Sequence, residues 1–255
     1  SEMCIRDSIT RYHLFDSRNQ LGGQQLMKKI LFILTNTRYY GNSKDKTGLW
    51  LAEAAEFVYK VQEHGYQVDY TSVNGGEVPL DPRSLKSTYR SKEIDEIYYS
   101  NDFQNRALKH SLKVSDLDPQ DYFAIYYTGG HGVLWDFPNQ PALSSITNSI
   151  FKQGGFIMSI CHGLAGLVTI KDDQGNYLIN NKKITGFTNF EEILSGKLFK
   201  VPSLTENQAK KAGAKFVQKR PFASFAVQDG QFITGQNPMS GFAVADLLIK
   251  NSPKH

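Results

Sequence analysis

The sequence predicts an α/β protein in which helices cover both faces of a mostly parallel sheet. Three short, continuous apolar runs, residues 28–35, 121–128 and 155–160, are typical of strands that are buried on both faces. A stretch with helical spacing of its apolar residues, 47–65, lies between the first two runs. Strands that alternate with helices favour a three-layer, doubly wound, flavodoxin-like arrangement.

Local patterns predict the other elements. Residues 78–118 are polar and irregular, and we expect a small cap or insertion of short helices outside the sheet, which could wall a pocket. In chain order, the remaining predictions are a strand at 66–72, a short helix after Cys161, a hairpin with a strand at 183–188, a helix at 203–213, two strands joined at Asp229 and Gly230, and a closing helix at 237–250.

Composition limits the class of protein. The 255 residues are 40% hydrophobic and 21% charged, which fits one globular domain over residues 27–255. The net charge of +4 is modest, and without a Lys/Arg run we expect no nucleic-acid partner. Two cysteines exclude a disulfide framework, and no apolar stretch is long enough to cross a bilayer, so we expect no membrane partner and a cytoplasmic location.

The first 26 residues are expected to lie outside the fold. They begin SEMCIRDS, and the translation of a sequencing-library adapter would read Met-Cys-Ile-Arg-Asp-Ser. We therefore interpret residues 1–26 as a non-native or disordered leader, with Met27 as the start. The segment has neither the apolar core nor the cleavage site of a secretory signal.

Cys161 is the first candidate for chemistry. It follows a predicted buried strand, and the small residues Ser159 and Gly163 flank it by two positions, as a nucleophile on a tight strand-to-helix elbow requires. In that geometry helix amides would favour the thiolate and hold an oxyanion. The alternative, a buried structural cysteine, is the more common fate of a lone cysteine.

A glycine-rich loop follows another predicted strand. Gly129, Gly130 and Gly132 would let backbone amides approach a ligand, and the carboxyl ends of neighbouring parallel strands share one crevice. The loop is therefore a candidate oxyanion hole. A tight turn would also explain the glycines, and His131 alone is more often structural than catalytic.

Glu53 is the third candidate. On the 47–65 helix it lies at the edge of the apolar face, whereas Glu56 points away from the crevice. A carboxyl on that edge would reach the crevice and have a raised pKa there. The alternative is a solvated glutamate on the flank of the helix.

Four motifs in order then resemble a known family. TGLWLAE (47–53), TGGHGVLWDFP (128–138), SICHGLAGL (159–167) and ITGFTNFEE (184–192) are similar to the ThiJ/PfpI branch of the class I glutamine amidotransferase-like superfamily. Within it, the sequence most resembles the subgroup of heat-shock chaperones and glutathione-independent glyoxalases (glyoxalase III). The likeness extends over residues 28–250.

The resemblance implies roles for individual residues. It implies Cys161 as nucleophile, His162 as catalytic histidine and Glu53 as the acid beside the sulfur. Gly130 and His162 would supply oxyanion-hole amides, and Glu192 is favoured over Glu191 as the acid that orients the histidine. The other substrate-binding positions are Gly129, His131, Gly163 and Trp135. Relatives are commonly homodimers, and no match to the metal ligands of some relatives is found, so we expect neither metal nor cofactor.

The implied reaction turns methylglyoxal, a small dicarbonyl, into lactate through a hemithioacetal on Cys161. Four alternatives stay open. A holdase chaperone or redox sensor would use exposed apolar surface or oxidation of the cysteine, and a protein deglycase would act on glycated side chains. A peptidase would need an open cleft, and a glutamine amidotransferase takes its histidine from a downstream His-x-Glu, whereas the only histidine after His162 is His255.

Overall fold

The computed structural model describes residues 28–252, so the expectation for residues 1–26 lies outside the described chain. Within that range the strands form a seven-stranded sheet and a separate two-stranded ribbon. The strands are β1 (Lys29–Leu34), β2 (Gln67–Ser72), β3 (Leu112–Lys113), β4 (Ala124–Tyr127), β5 (Phe156–Ile160), β6 (Lys183–Ile184), β7 (Lys215–Phe216), β8 (Ala226–Asp229) and β9 (Phe232–Gly235).

The large sheet has the order β3-β2-β1-β4-β5-β9-β8. All neighbouring strands are parallel except β8, which pairs antiparallel with β9 through the turn predicted at Asp229 and Gly230. The mostly parallel α/β fold is therefore confirmed.

Two local predictions are wrong. Leu112 and Lys113 belong to the sheet, because they extend its edge by pairing with Thr71 and Ser72, whereas the whole 78–118 segment was expected outside it. The strand expected at 183–188 is only two residues long and pairs in parallel with Lys215–Phe216 rather than within a hairpin. Both pairings join residues far apart in sequence, which local periodicity does not reveal.

Seven α-helices connect the strands of the described chain. Short 3-10 helices lie at Pro82–Leu85, Ser87–Tyr89, Val114–Asp116, Pro119–Asp121, Cys161–Gly166 and Pro238–Ser240, and a π-helix at Phe103–Lys109. The α-helices are α1 (Leu51–Glu63), α2 (Lys92–Tyr99), α3 (Val133–Asp136), α4 (Pro141–Lys152), α5 (Asn189–Leu194), α6 (Thr205–Lys211) and α7 (Gly241–Asn251).

The sheet separates two hydrophobic cores. Successive residues of β1 point to opposite faces, so Phe32 packs with α1, α2 and α7, while Ile33 packs with α3, α4 and α6. Because both faces are covered, the central strands are apolar without interruption, as the sequence runs indicated.

The sheet topology fixes where a ligand can bind. From β1 the chain goes to β2 on one side and later returns to β4 on the other. Loops that leave the carboxyl ends of β1 and β4 therefore diverge and open a crevice, the usual binding position in doubly wound sheets. Cys161 follows β5, the next strand along, so it lies at the same edge.

None of the helices formed by residues 28–252 is both long enough and apolar enough to span a bilayer.

Phe32 is the centre of an aromatic cluster in the first core. Its ring lies 5.3 Å from Phe57, 5.7 Å from Tyr70 and 5.1 Å from Tyr126, edge to face in each case. Phe32→Ala should lower the free energy of unfolding by about 4 kcal/mol, because it removes a fully buried ring and leaves a cavity. Urea denaturation measures this. Phe199→Ala is the matched control: its ring is 98% exposed, so a change within about 0.5 kcal/mol is expected.

Glu56 joins α1 to the beginning of α7. Its side chain packs against Gly241, and the Phe242 amide hydrogen-bonds its carboxyl, while Oε2 is buried without a partner. Burial is the main reason that the pKa of Glu56 rises to about 7. The folded state therefore binds this proton more tightly than the unfolded chain does.

Glu56→Gln should flatten the pH dependence of stability. The contribution of Glu56 is fully present below its unfolded pKa of about 4.3 and is lost as the pH rises to 7, where ionisation is resisted. The variant should thus nearly match the native protein at pH 4 and exceed it by roughly 2 kcal/mol at pH 8. Urea denaturation at both pH values tests this. Glu63→Gln, exposed on the same helix, is the control, and an equal effect from it would contradict the assignment.

Candidate active site

The backbone at Cys161 has the strained conformation of an elbow. Cys161 has a φ of 55°, in the left-handed region that a residue with a side chain rarely adopts. It ends β5 and begins the 3-10 helix Cys161–Gly166. The turn needs Gly163, because a Cβ there would lie 2.3 Å from the Tyr127 carbonyl oxygen of β4. Ser159, the small residue before the turn, is fully buried.

The elbow brings three side chains into one line. Cys161 Sγ lies 3.3 Å from His162 Nδ1, and His162 Nε2 lies 2.6 Å from Glu192 Oε2. All three residues are at most 3% exposed. This geometry matches a nucleophile, a base and an acid that orients the base. The catalytic roles themselves stay predictions.

Glu192 is ionised although it is buried. Burial opposes its ionisation, but the neighbouring His162 and hydrogen bonds from His131 and His162 outweigh burial and hold the pKa of Glu192 well below its usual range. An ionised carboxylate can only accept hydrogen bonds, so Nε2 of His162 must carry a proton. Nδ1 of His162 therefore presents its lone pair to the thiol.

Glu53 is fully buried beside the same sulfur. Burial is the main cause that raises its pKa well above the usual value, and the Cys161 side chain and the Gly129 amide oppose this only in part. Neither carboxyl oxygen has a hydrogen bond of ordinary geometry. Tyr126 fixes this turn of α1 by donating its hydroxyl proton to the Glu53 carbonyl oxygen at 2.8 Å. A protonated Glu53 is a hydrogen-bond donor available to a thiolate or an oxyanion.

Opposing effects act on the thiol. Burial is the main cause that raises the pKa of Cys161 well above its usual value, with a charged Glu53 carboxylate acting in the same direction, and the His162 amide lowers it. The expectation that helix amides would favour a resting thiolate therefore stays a prediction. A neutral thiol at this position can lose its proton to His162 when it reacts.

The glycine loop lies directly against this pair. A Cβ at Gly129 would lie 2.2 Å from Glu53 Oε2 and 3.0 Å from Cys161 Cβ. Gly130 has a φ of 100°, and a Cβ there would lie 2.2 Å from the Gly48 carbonyl oxygen. Only glycines fit at these two positions. The Gly129 amide faces Glu53 and the His162 amide faces Cys161, whereas the role expected for the Gly130 amide in an oxyanion hole stays a prediction.

His131 lies beside His162, with the two ring centroids 4.2 Å apart, and contacts the other carboxylate oxygen of Glu192. Its Nε2 is 2.8 Å from Glu192 Oε1, and its Nδ1 is 2.9 Å from the Arg83 guanidinium. Burial is the main cause that lowers the pKa of His131 to about 4, with His162 and Arg83 acting in the same direction. His131 is thus neutral. The structure shows His131 in contact with Glu192, and its predicted contact with substrate stays a prediction.

Sequence reasoning missed Arg83. It belongs to the polar 78–118 segment, where nothing distinguished it from other basic residues. The signal that could have found it is the pair Asp81-Pro82, since an aspartate before a proline often caps a turn. Asp81 does cap the 3-10 helix Pro82–Leu85 and binds Arg83 through both carboxylate oxygens.

Trp135 packs among residues of the loop after β1. Its ring packs edge to face on Tyr40 at 5.9 Å, and its indole lies against Gly41. Tyr40 in turn lies 5.4 Å from the ring of His131. Trp135 therefore supports the residues around His131, and a contact with substrate stays a prediction.

The structure distinguishes the two adjacent glutamates. Glu192 bonds both imidazoles, whereas Glu191 caps α5 through Thr188 and accepts hydrogen bonds from the loop and strand end that follow. The donors to Glu191 are Thr188 N and Oγ1, Phe222 N, Gln236 Nε2 and Asn237 Nδ2. Consecutive helical residues point about 100° apart, so one reaches the site and the other the core.

Three side chains are close enough together for a metal ion. Ligand atoms of His131, His162 and Glu192 lie within 4.8 Å of one another. These side chains are already paired with one another, and His131 also accepts a hydrogen bond from the cationic Arg83. A metal ion would displace those hydrogen bonds and lie beside a positive charge. The arrangement favours a hydrogen-bonded network over a metal centre.

The model of the DJ-1/PfpI family matches residues 48–251. The chain belongs to the DJ-1/PfpI family. The family match includes Glu53, the glycine loop, Cys161 and Glu192, and it agrees with the sequence resemblance.

Individual relatives of the family cover nearly the whole described chain. Glyoxalase 3 from Candida albicans is 36% identical over 232 residues, which span 88% of this chain and 98% of the relative. The glutathione-independent glyoxalase HSP31 from Saccharomyces cerevisiae is 32% identical over 229 residues, 86% of this chain and 95% of the relative. The crystal structure of glyoxalase III from Candida albicans superposes with a TM-score of 0.79 at 33% identity, covering 88% of this chain and 97% of that one.

Exchanging each of the adjacent glutamates for glutamine should separate the two roles. Glu192→Gln should slow the alkylation of Cys161 by iodoacetamide at least tenfold, because the amide donates to His162 Nε2 and turns the lone pair away from the thiol. Glu191→Gln should instead lower the free energy of unfolding by about 2 kcal/mol. The carboxylate accepts five hydrogen bonds, and an amide nitrogen in place of one oxygen would leave some of these donors without an acceptor. Mass spectrometry and urea denaturation measure the two effects. The reverse pattern would exchange the assignments.

Proposed function

We propose that this protein converts methylglyoxal to lactate without glutathione, with Cys161 as the nucleophile. The observation that carries the proposal is the line Cys161–His162–Glu192, with a protonated Glu53 beside the sulfur. The relatives named glutathione-independent glyoxalases, each matched over most of its length, support a small carbonyl compound as substrate.

The first step is addition of the sulfur to the aldehyde. His162 Nδ1 takes the thiol proton while Glu192 stabilises the resulting imidazolium. The sulfur then bonds to the aldehyde carbon, and the carbonyl oxygen accepts a proton to give a hemithioacetal. Glu53 is placed to donate a hydrogen bond to the developing negative charge, and the amides near Gly129 would add to it.

The second step moves a hydrogen between two carbons. A base takes the proton from the carbon that carries sulfur, which gives an enediol, and the neighbouring carbon is then protonated. His162 is the candidate base, with Glu53 as the second acid-base group. The product is a thioester of lactate on Cys161. Water hydrolyses the thioester, releases lactate and restores the thiol, so oxidation of one carbon balances reduction of its neighbour.

The enclosure of the site favours a small substrate. Cys161 is 3% exposed and His162 is 2% exposed. A polypeptide cannot reach such a sulfur in this conformation, which argues against a peptidase. An amidotransferase is disfavoured by the source of the histidine, since His162 directly follows the nucleophile and bonds Glu192.

A holdase chaperone is the second candidate. The observation that favours it is a group of exposed apolar side chains on α5 and just after it: Phe190, Ile193, Leu194 and Phe199. In the 78–118 segment, Tyr89, Tyr99 and Leu112 are exposed as well. Suppression of aggregation of a client protein that survives in Cys161→Ala would separate this activity from catalysis.

Assembly and location stay predictions. A homodimer rests on the resemblance to relatives, and a cytoplasmic location, without nucleic-acid or membrane partners, rests on composition and cysteine usage. Deglycation of proteins would require tests with glycated substrates from which free methylglyoxal has been removed.

Turnover of methylglyoxal by the full chain tests the proposal. Without glutathione or added metal, we expect lactate to appear as methylglyoxal disappears. Cys161→Ala should reduce turnover by at least about a thousandfold, because it removes the nucleophile. Glu53→Gln should lose about tenfold to a hundredfold, since an amide keeps a donor but cannot move a proton.

The matched control is the other cysteine. Cys4→Ala changes the same residue type outside the predicted domain, and its turnover should equal that of the native protein. A folded native protein whose Cys161 reacts with iodoacetamide but which forms no lactate would reject the glyoxalase reaction.

A further inference from the structure

We propose that Arg83 is a positioning residue that fixes the tautomer of His131 and, through it, aims Glu192 at His162. The proposal deepens the proposed function and rests on it for its kinetic consequences only, since the hydrogen-bond network can be observed without turnover. Nothing in the sequence motifs points to Arg83.

The first step is the contact between Arg83 and His131. The guanidinium Nη2 lies 2.9 Å from Nδ1 of His131. Arginine can only donate, so Nδ1 must accept and the ring proton must be on Nε2. Nε2 then donates to Glu192 Oε1 at 2.8 Å. One contact thus decides which of the two neutral forms His131 adopts.

The second step is the effect on Glu192. Oε1 accepts from His131 and from Ser195 Oγ, at 2.8 and 3.0 Å, whereas Oε2 is left for His162 at 2.6 Å. The two donors on Oε1 fix the rotation of the carboxylate about its own axis. If His131 adopted the other tautomer, two lone pairs would face each other and the carboxylate would turn away.

Arg83 is itself held rigidly. Asp81 accepts from Nε at 3.0 Å and from Nη2 at 2.7 Å, and Thr47 donates to the same carboxylate. The Tyr40 hydroxyl oxygen also lies 2.7 Å from Nη2, whose two hydrogens are shared among Asp81, His131 and Tyr40. Burial opposes ionisation of Asp81, but the Arg83 guanidinium outweighs it and holds the pKa of Asp81 below its usual value. The pair is preorganised before it meets His131.

The charged and titratable groups around His131 come from four parts of the chain. Arg83 and Asp81 face it from the 78–118 segment, Tyr40 from the loop after β1, Glu192 from α5 and His162 from the elbow. The Arg83 cation would oppose a proton on Nδ1. The surroundings therefore favour one neutral tautomer rather than a charged ring.

The experiment compares Arg83→Met and Arg83→Lys with Arg106→Met in the full chain. Arg106 is the matched control, because it also pairs with an aspartate, Asp69, but at the opposite edge of the sheet. Nitrogen-15 NMR of labelled histidines reports the tautomer of His131, iodoacetamide reports the thiol, and methylglyoxal turnover gives kcat and KM.

We expect native His131 to show a bare Nδ1 and a protonated Nε2, and Arg83→Met to lose this single pattern. Alkylation of Cys161 and kcat should both fall about tenfold to a hundredfold in Arg83→Met, with KM nearly unchanged. Arg83→Lys, which keeps a charged donor, should recover part of both, and Arg106→Met should leave all three readouts as in the native protein.

Three results would overturn the proposal. The first is an unchanged His131 spectrum in folded Arg83→Met, and the second is equal losses in Arg83→Met and Arg106→Met. The third is a rise in KM with kcat unchanged, which would make Arg83 a substrate-binding residue. If the native protein turns over no methylglyoxal, the spectra and alkylation rates still decide the role of Arg83. Failure of the proposed function can therefore be distinguished from failure of the role proposed for Arg83. If Arg83→Met does not fold, Arg83→Lys and the native spectrum carry the test.

Discussion

The left-handed backbone of Cys161 is the constraint on which the rest of the site depends. A φ of 55° turns the chain sharply at the end of β5, and it does so only because Gly163 can lie against the Tyr127 carbonyl of β4. The turn puts Cys161 and His162 side by side, with the sulfur toward Gly129 and the imidazole toward α5. The strain is held by the two central strands β4 and β5, which are buried except for Phe156 at the beginning of β5 and leave no room to relax.

Burial then gives three acidic groups in one site different charge states. Glu53 and Cys161 have few compensating hydrogen bonds, so desolvation raises the pKa of each and favours their neutral forms. Glu192 is also buried, yet two imidazoles donate to it and it stays ionised. A single negative charge therefore lies behind His162, on the side away from the sulfur. That separation lets the imidazole take the thiol proton and lets Glu53 act as the acid.

The sequence predicted those parts of the site that local patterns encode. Strand runs followed by small residues located Cys161, and helical spacing put Glu53 on the inner edge of α1. The resemblance favoured Glu192 over Glu191, and the structure puts Glu192 on the histidine. Contacts between distant segments were out of reach. Arg83 contacts His131, which lies 48 residues away in the sequence. Residues 112–113 pair with β2 at the edge of the sheet, but the sequence around them has no periodicity that predicts a strand.

The polar segment between β2 and β4 shows why an irregular stretch can matter to a site. Arg83 and Asp81 are held there by their own ion pair and by the Thr47 hydroxyl, so their geometry needs no helix or strand of conventional length. The Arg83 donor then meets His131 at the glycine loop, where His131 contacts Oε1 of Glu192 and the neighbouring His162 contacts Oε2. Glu192 is thus fixed at one oxygen by a rigid network and bonds the base through the other. A carboxylate fixed in this way can support His162 without first reorganising when the thiol reacts.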